Sequence, residues 1–309
     1  MILQGQKELR GTTLLTAWNW GFLAAICWSV TWFADQFGRL LSPELADHMW
    51  YASAVLVLCP PIAVLGSRRP GARVWTCFIL LPMLFALGWP VVAALFHATV
   101  PRGLQLETPQ VVAYALVLVM GIGNYCGTRF TMPALLYSTA AIAVAISGSV
   151  VSPVFLSNRA ETRFWSTLLM VLAVLLVKSS KRPAAASKFD QVWFDFFDSF
   201  GIVWGRRIQD RVNFVLKNEG LNTRLEFDGF QTVTGSPNTS TTSTKLEVSE
   251  TNAGSSESHD SESRSASETE KRIEHVLRWL LRRFVDPEWI DRRLGTAQVE
   301  NENLANRLM

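Results

Sequence analysis

Six stretches of this 309-residue sequence contain no Asp, Glu, Lys or Arg: 14–33, 50–66, 74–97, 110–127, 131–151 and 164–177. Histidine is almost as scarce there, with His97 alone at the end of the third stretch. Ionisable groups are costly in hydrocarbon and, where they occur, mark proton relays, ion paths or voltage sensing. Their absence argues against a proton-coupled transporter, a voltage sensor or a rotary proton path. A membrane b-type haem needs histidines facing one another from neighbouring helices. His97 by itself reads as an interfacial residue.

Catalytic and cofactor motifs are also missing. The four cysteines, Cys27, Cys59, Cys77 and Cys126, all lie inside apolar stretches, with no C-x-x-C pair. That pattern excludes a disulfide framework or a zinc site and fits small apolar side chains in packed helices. The chain has no Ser-His-Asp set, H-E-x-x-H or Walker-type loop. "GIGNYCG" (121–127) lacks the strand–turn–helix setting of a dinucleotide fingerprint. In "SPELADHMW" (42–50), Glu44, Asp47 and His48 share a helical face, a spacing that could hold a metal. The same string reads more simply as a Ser42 cap, Pro43 at the first helical position and acids in the first turn. No catalytic residue, metal or cofactor is therefore expected.

What is present is apolar surface in membrane-sized lengths. A helix needs about 20 mostly apolar residues to cross a bilayer, and the six stretches approach that length. The last is the shortest, bracketed by Arg163 with Trp165 and by Lys178. The first follows Lys7 and Arg10 but is longer than a signal-peptide core and lacks a small-residue cleavage site, so it is expected to remain as an uncleaved span. The expected fold class is an all-α integral membrane protein, with about six transmembrane helices in residues 1–178. A cytoplasmic tail follows.

Loop charges set the orientation. With the N-terminus inside, segments 1–13, 67–73, 124–130 and the start of the tail carry 2, 3, 1 and 4 Lys or Arg, whereas loops 34–49, 98–109 and 152–163 carry 1, 1 and 2. The bias places both termini in the cytoplasm. Within the fifth stretch, Ala141, Ala145 and Ser149 form one small-residue stripe and Thr139, Ala143 and Ser147 another. Such stripes let helix backbones approach closely, which puts this helix at the bundle centre. Pro60-Pro61, Pro82 and Pro90 are expected to kink the second and third spans and free backbone carbonyls. Asn19 and Asn124 are candidate intramembrane polar residues. Together with the freed carbonyls they could line a neutral-solute pocket, or make interhelical hydrogen bonds.

The tail divides into a juxtamembrane segment 179–230, a linker 231–270 and a C-terminal segment 271–309. In the first, Phe189, Val192, Trp193, Phe196, Phe200, Val203 and Trp204 share one helical face. Asp195, Asp198, Arg206, Gln209, Asp210 and Asn213 fall on the other. This 3.6-residue period predicts an amphipathic helix over 189–216 with a solvated polar face. Gly201 and Gly205 mark a bend or a close contact. "LNTRLEFDGFQ" (221–231) predicts a short strand and turn. Ser and Thr make up 19 of the 40 residues in 231–270, the composition of a flexible, disordered linker. Ile273, Val276, Leu277, Leu280, Leu281 and Phe284 then form the apolar stripe of a basic amphipathic helix.

Candidate membrane or partner contacts are Trp193, Phe196, Phe200, Trp204, Arg206, Arg207, Arg211, Trp279, Arg282 and Arg283. They would meet the lipid bilayer, its anionic head groups or a protein partner; the two tail helices could also dock on each other. No nucleic acid is expected, because the aromatics form a continuous stripe rather than an exposed stacking platform. The strings "VWGRRIQDRVN" (203–213) and "RRFVDPEWIDRRLG" (282–295), behind six apolar stretches, resemble those of uncharacterised six-span bacterial inner-membrane proteins. That resemblance implies one tail module interrupted by a variable linker, and no activity. The leading expectation is a non-enzymatic scaffold or partner-docking subunit; a facilitator or permease for a small neutral solute is the alternative.

Overall fold

A computed structural model of the chain describes residues 9–37, 42–96, 104–150, 158–180, 185, 187–232 and 257–295. The bundle comprises α1 (Leu15–Gln36), α2 (Pro43–Val57), α3 (Cys59–Leu65), α4 (Ala72–Trp75), α5 (Leu81–Phe96), α6 (Thr108–Gly123), α7 (Thr131–Ser147) and α8 (Arg159–Ser179), with a π-helical turn at Thr76–Leu80 joining α4 to α5. The tail comprises α9 (Lys188–Asn218), a hairpin of β1 (Thr223–Glu226) and β2 (Gly229–Thr232), α10 (Glu257–Leu281) and α11 (Pro287–Leu294). Among the described residues, three helical segments, Pro43–Leu65, Arg73–Ala93 and Arg159–Ser179, are long and apolar enough to cross a membrane, against the six spans expected; α6 and α7 are apolar but shorter. His97 lies outside the described residues.

Pro60-Pro61 acts as expected, and the bundle consumes the carbonyls released there; α5 runs on through Pro90. The helix breaks at Leu58, so α3 starts afresh with Pro60-Pro61 in its first turn. Pro61 has no N–H for the Val57 carbonyl four residues back; the Tyr137 hydroxyl donates to that carbonyl at 2.6 Å. Leu58 N turns to Val55, and the Ala54 carbonyl it would have reached accepts from Tyr114 at 2.9 Å. In α5, the Leu87 carbonyl also accepts from Tyr51 at 2.8 Å. Buried carbonyls need such partners.

α7 packs along α8 and also against α2 and α6. Its Ala141, Ala145 and Ser149 are buried, in keeping with the first stripe, whereas Thr139 of the second is exposed. α8 is longer than the sixth apolar stretch because Asn158 caps it and Arg163 lies inside it rather than reaching outward. Arg163 pairs with Asp35 at 3.4 Å and with Asp47, which also pairs with Arg159. Trp50 Nε1 donates to Asp35 at 2.9 Å. Ser42 caps α2 as its sequence suggests, and Asp47 is committed to the two arginines. Among the described residues, no cluster of His, Cys, Asp and Glu has the makings of a metal site.

Two expectations for the tail change. Residues 257–270, assigned to the linker, are the first half of α10. They carry no apolar stripe, so hydrophobic periodicity cannot reveal them; Arg272 pairs one turn back with Glu268 at 2.9 Å. The rest of the linker, 233–256, lies outside the described residues. The polar face of α9 is not solvated throughout either. Asp195, Asp198 and Gln209 are buried, and Gln209 and Asn213 both donate to the Leu225 carbonyl of β1, at 3.1 and 2.9 Å. The hairpin covers that face at Gln209 and Asn213, while α11 and the turn after α6 cover Asp195 and Asp198.

Apolar side chains gather into two cores. One lies within the bundle around Trp50, Tyr51 and Tyr114. The other joins Leu14, Ala17, Cys59, Ala63, Val64 and Leu80 of the bundle to the aromatic face of α9 and the stripes of α10 and α11. The tail and one end of the bundle therefore share a single interior.

Candidate functional site

The shared interior is built from α9 outward. Ser187 and Asp190 form a reciprocal capping box that starts the helix. Asp190 also accepts from Phe230 N at 2.7 Å, which pins the hairpin to the helix start. Phe189, Val192, Trp193, Phe196 and Phe200 then bury a continuous stripe.

At Gly201 the helix breaks, with φ 77° and ψ −177°, a region that essentially only glycine occupies. The break strands backbone groups, and one asparagine from the bundle takes them up. Asn124 Nδ2 donates to the Phe200 carbonyl at 3.0 Å. Its Oδ1 accepts from Val203 N at 3.0 Å, and its own carbonyl accepts from Ile202 N at 2.7 Å. A Cβ on residue 201 would sit 2.3 Å from Asn124 Nδ2, so glycine is required by space as well as by φ.

Beyond the break, Trp204 Nε1 donates to the Val64 and Leu65 carbonyls at 3.3 and 3.2 Å. Those carbonyls end α3, and the Val64 carbonyl also accepts from Ser67 N and from the Ser67 hydroxyl at 3.1 and 2.6 Å. Phe284, just past α10, is the hub of the aromatic cluster, with its ring centroid 5.4, 5.3 and 4.9 Å from those of Phe196, Phe200 and Trp204. The strand-like run around it is stitched to the bundle. Thr12 and Val285 form an antiparallel bridge, Thr13 N donates to the Phe284 carbonyl at 2.9 Å, and Asp286 N donates to the Gly11 carbonyl.

Ion pairs close the edges. Arg129, on the turn after α6, pairs with buried Asp198 at 2.9 Å. Arg293 of α11 pairs with buried Asp195 at 2.6 Å and stacks 3.7 Å over Trp289. Arg69 pairs with Asp286 at 2.7 Å. A buried carboxylate survives only with such partners.

The sequence-predicted contact residues thus separate into two groups. Trp193, Phe196, Phe200 and Trp204 are buried inside the protein and are not available to lipid or to another chain. The apolar periodicity was real, and α10, α11 and the bundle cover it. Arg206, Arg207, Arg211, Trp279, Arg282 and Arg283 remain exposed. Arg207 lies 5.0 Å over Trp204, Arg211 5.9 Å over Phe214 and Arg282 5.7 Å over Trp279. Asn19 is exposed on α1 and Asn124 is buried with both ends of its amide engaged. The structure gives the two asparagines no shared pocket.

Sequence reasoning missed Arg129, Asp195, Asp198, Phe284 and Arg293 as parts of the junction. The available signal was "DFFDSF" (195–200), two carboxylates inside an aromatic run, which demand partners if the run is buried.

No family model, curated protein or solved structure matches this chain. The resemblance of the tail to six-span inner-membrane proteins rests on its sequence strings alone.

Proposed function

We propose that this chain is a multi-pass protein of the bacterial inner membrane, with six spans and both termini in the cytoplasm. Its tail acts as a non-enzymatic platform that holds a protein partner against the membrane. The loop-charge bias supports the orientation. The three membrane-length helices support the location.

One observation carries the platform reading. The tail is locked to the bundle through its buried aromatic face, while the far side of α9 turns Arg207, Arg211 and Phe214 outward. Phe214 is 57% exposed. A fixed helix with an aromatic residue flanked by arginines is suited to docking, since aromatic and Arg side chains dominate interface energetics.

A photo-crosslinking residue in place of Phe214, activated in living cells, tests the idea. The reading expects one discrete higher-mass protein adduct, lost when Arg207 and Arg211 are both replaced by Glu. A chain that yields only its own monomer in such cells would contradict it.

A further inference from the structure

We propose that the chain carries a binding site for the phosphate of an anionic membrane lipid, built where the loop before α4 meets the end of α10. These segments are about two hundred residues apart in sequence, and the structure joins them directly. Arg69 N donates to the Arg283 carbonyl at 2.9 Å, and the Arg69 side chain pairs with Asp286 at 2.7 Å. Arg68 adjoins this junction on one segment and Arg282 and Arg283 on the other, with Arg73 one helical turn further on at the start of the next helix.

All four are exposed, and none has a carboxylate partner among the described residues. Asp286, on the same junction, is taken by Arg69. The junction therefore carries an excess of positive charge, and each guanidinium can grip phosphate oxygens bidentately.

Its position selects the ligand. Arg73 opens the membrane-length segment Arg73–Ala93, little of whose most apolar stretch is buried. Val74, Phe78 and Phe85 of that segment face outward. The patch therefore sits at the foot of an apolar outer surface, where an acyl chain would lie along the helix while its head group meets the arginines. Trp279, 44% exposed and stacked under Arg282, has the amphipathic ring favoured at the head-group level. Juxtamembrane Arg and Lys are drawn to anionic lipid. This site rests on the membrane reading given above, and it lies apart from the Arg207–Phe214 face.

The test is native mass spectrometry of the full chain, purified in mild detergent and supplied with phosphatidylglycerol or phosphatidylcholine. The wild type should retain phosphatidylglycerol selectively. The pairs Arg68→Gln/Arg73→Gln and Arg282→Gln/Arg283→Gln should each lower retention by at least about fivefold, with circular dichroism confirming an unchanged fold. Arg207→Gln/Arg211→Gln should leave it unchanged. Equal retention of the two lipids, or no loss in either pair of variants, would overturn the site. So would full displacement by glycerol 3-phosphate at matching concentration, which would assign the patch to a free phosphate ester. A chain stripped from membranes by alkaline carbonate would overturn the membrane reading itself; a retained chain without lipid selectivity overturns the site alone.

Discussion

The bundle and the tail use the same aromatic residues in opposite ways. Around the bundle, Phe22, Phe33, Phe78, Phe85, Trp89, Phe164 and Trp165 point outward. In the tail, Phe189, Trp193, Phe196, Phe200, Phe284 and Trp289 point inward, beneath a charged surface. Burial of apolar area drives packing only where the alternative is water. Bundle helices leave many large rings outside, whereas the tail hides most of its own, with Phe214, Phe227 and Trp279 as exceptions. The contrast is compatible with a bundle in hydrocarbon and a tail in water, and the two regions meet at the Asn124–Gly201 and Trp204–Val64 contacts. The comparison predicts that equal side-chain changes have unequal effects on the two sides.

The largest effect should come from Gly201→Val. It forces a β-branched residue into a glycine-only backbone region and a Cβ into Asn124. A loss of more than about 4 kcal/mol is expected; limited proteolysis should then release the tail, and a tail as resistant as wild type would refute the kinked docking. Phe284→Ala removes the hub ring and should cost about 3–4 kcal/mol in thermal unfolding of the tail.

A matched pair sharpens the contrast in solvent. Phe85 and Phe214 are 60% and 57% exposed. Phe85→Asp should impair membrane insertion by about 3 kcal/mol. Asn124→Ala comes next: orphaning Phe200 O and Val203 N should cost about 2 kcal/mol, seen as faster amide exchange at Val203, with Ile202 still held by the residue 124 carbonyl. Phe214→Asp should change stability by less than about 0.5 kcal/mol. Similar penalties for Phe85→Asp and Phe214→Asp would break the comparison between the two regions.

Much of this organisation is written locally in the sequence. The Ser42 cap, the break at Pro60-Pro61, the turn before Gly229 and the helical period of 189–216 each depend on neighbours within a few residues. What covers the α9 stripe depends on residues 64, 124 and 284, and periodicity identifies a face without naming its partner. The apolar stripe therefore reads equally well as a lipid contact or as a core. The same limit hid Asp195 and Asp198, whose charges are matched by Arg293 and Arg129 from distant segments. The first half of α10 was hidden for another reason: its sequence carries no apolar stripe, and the support visible there comes from ion pairs such as Glu268 with Arg272 and Glu270 with Lys188.

The central claim, that tail and bundle form one interior, can be tested by a disulfide across the Thr12–Val285 bridge. Partners in an antiparallel bridge lie within the Cα separation that a disulfide tolerates. Thr12→Cys with Val285→Cys, in a chain whose four native cysteines are replaced by Ser or Ala, should oxidise readily in isolated membranes. After protease cleavage between residues 233 and 256, the C-terminal fragment should then stay attached on a non-reducing gel and separate on reduction. Persistent free thiols at both positions, with the fragment released without reductant, would contradict the account.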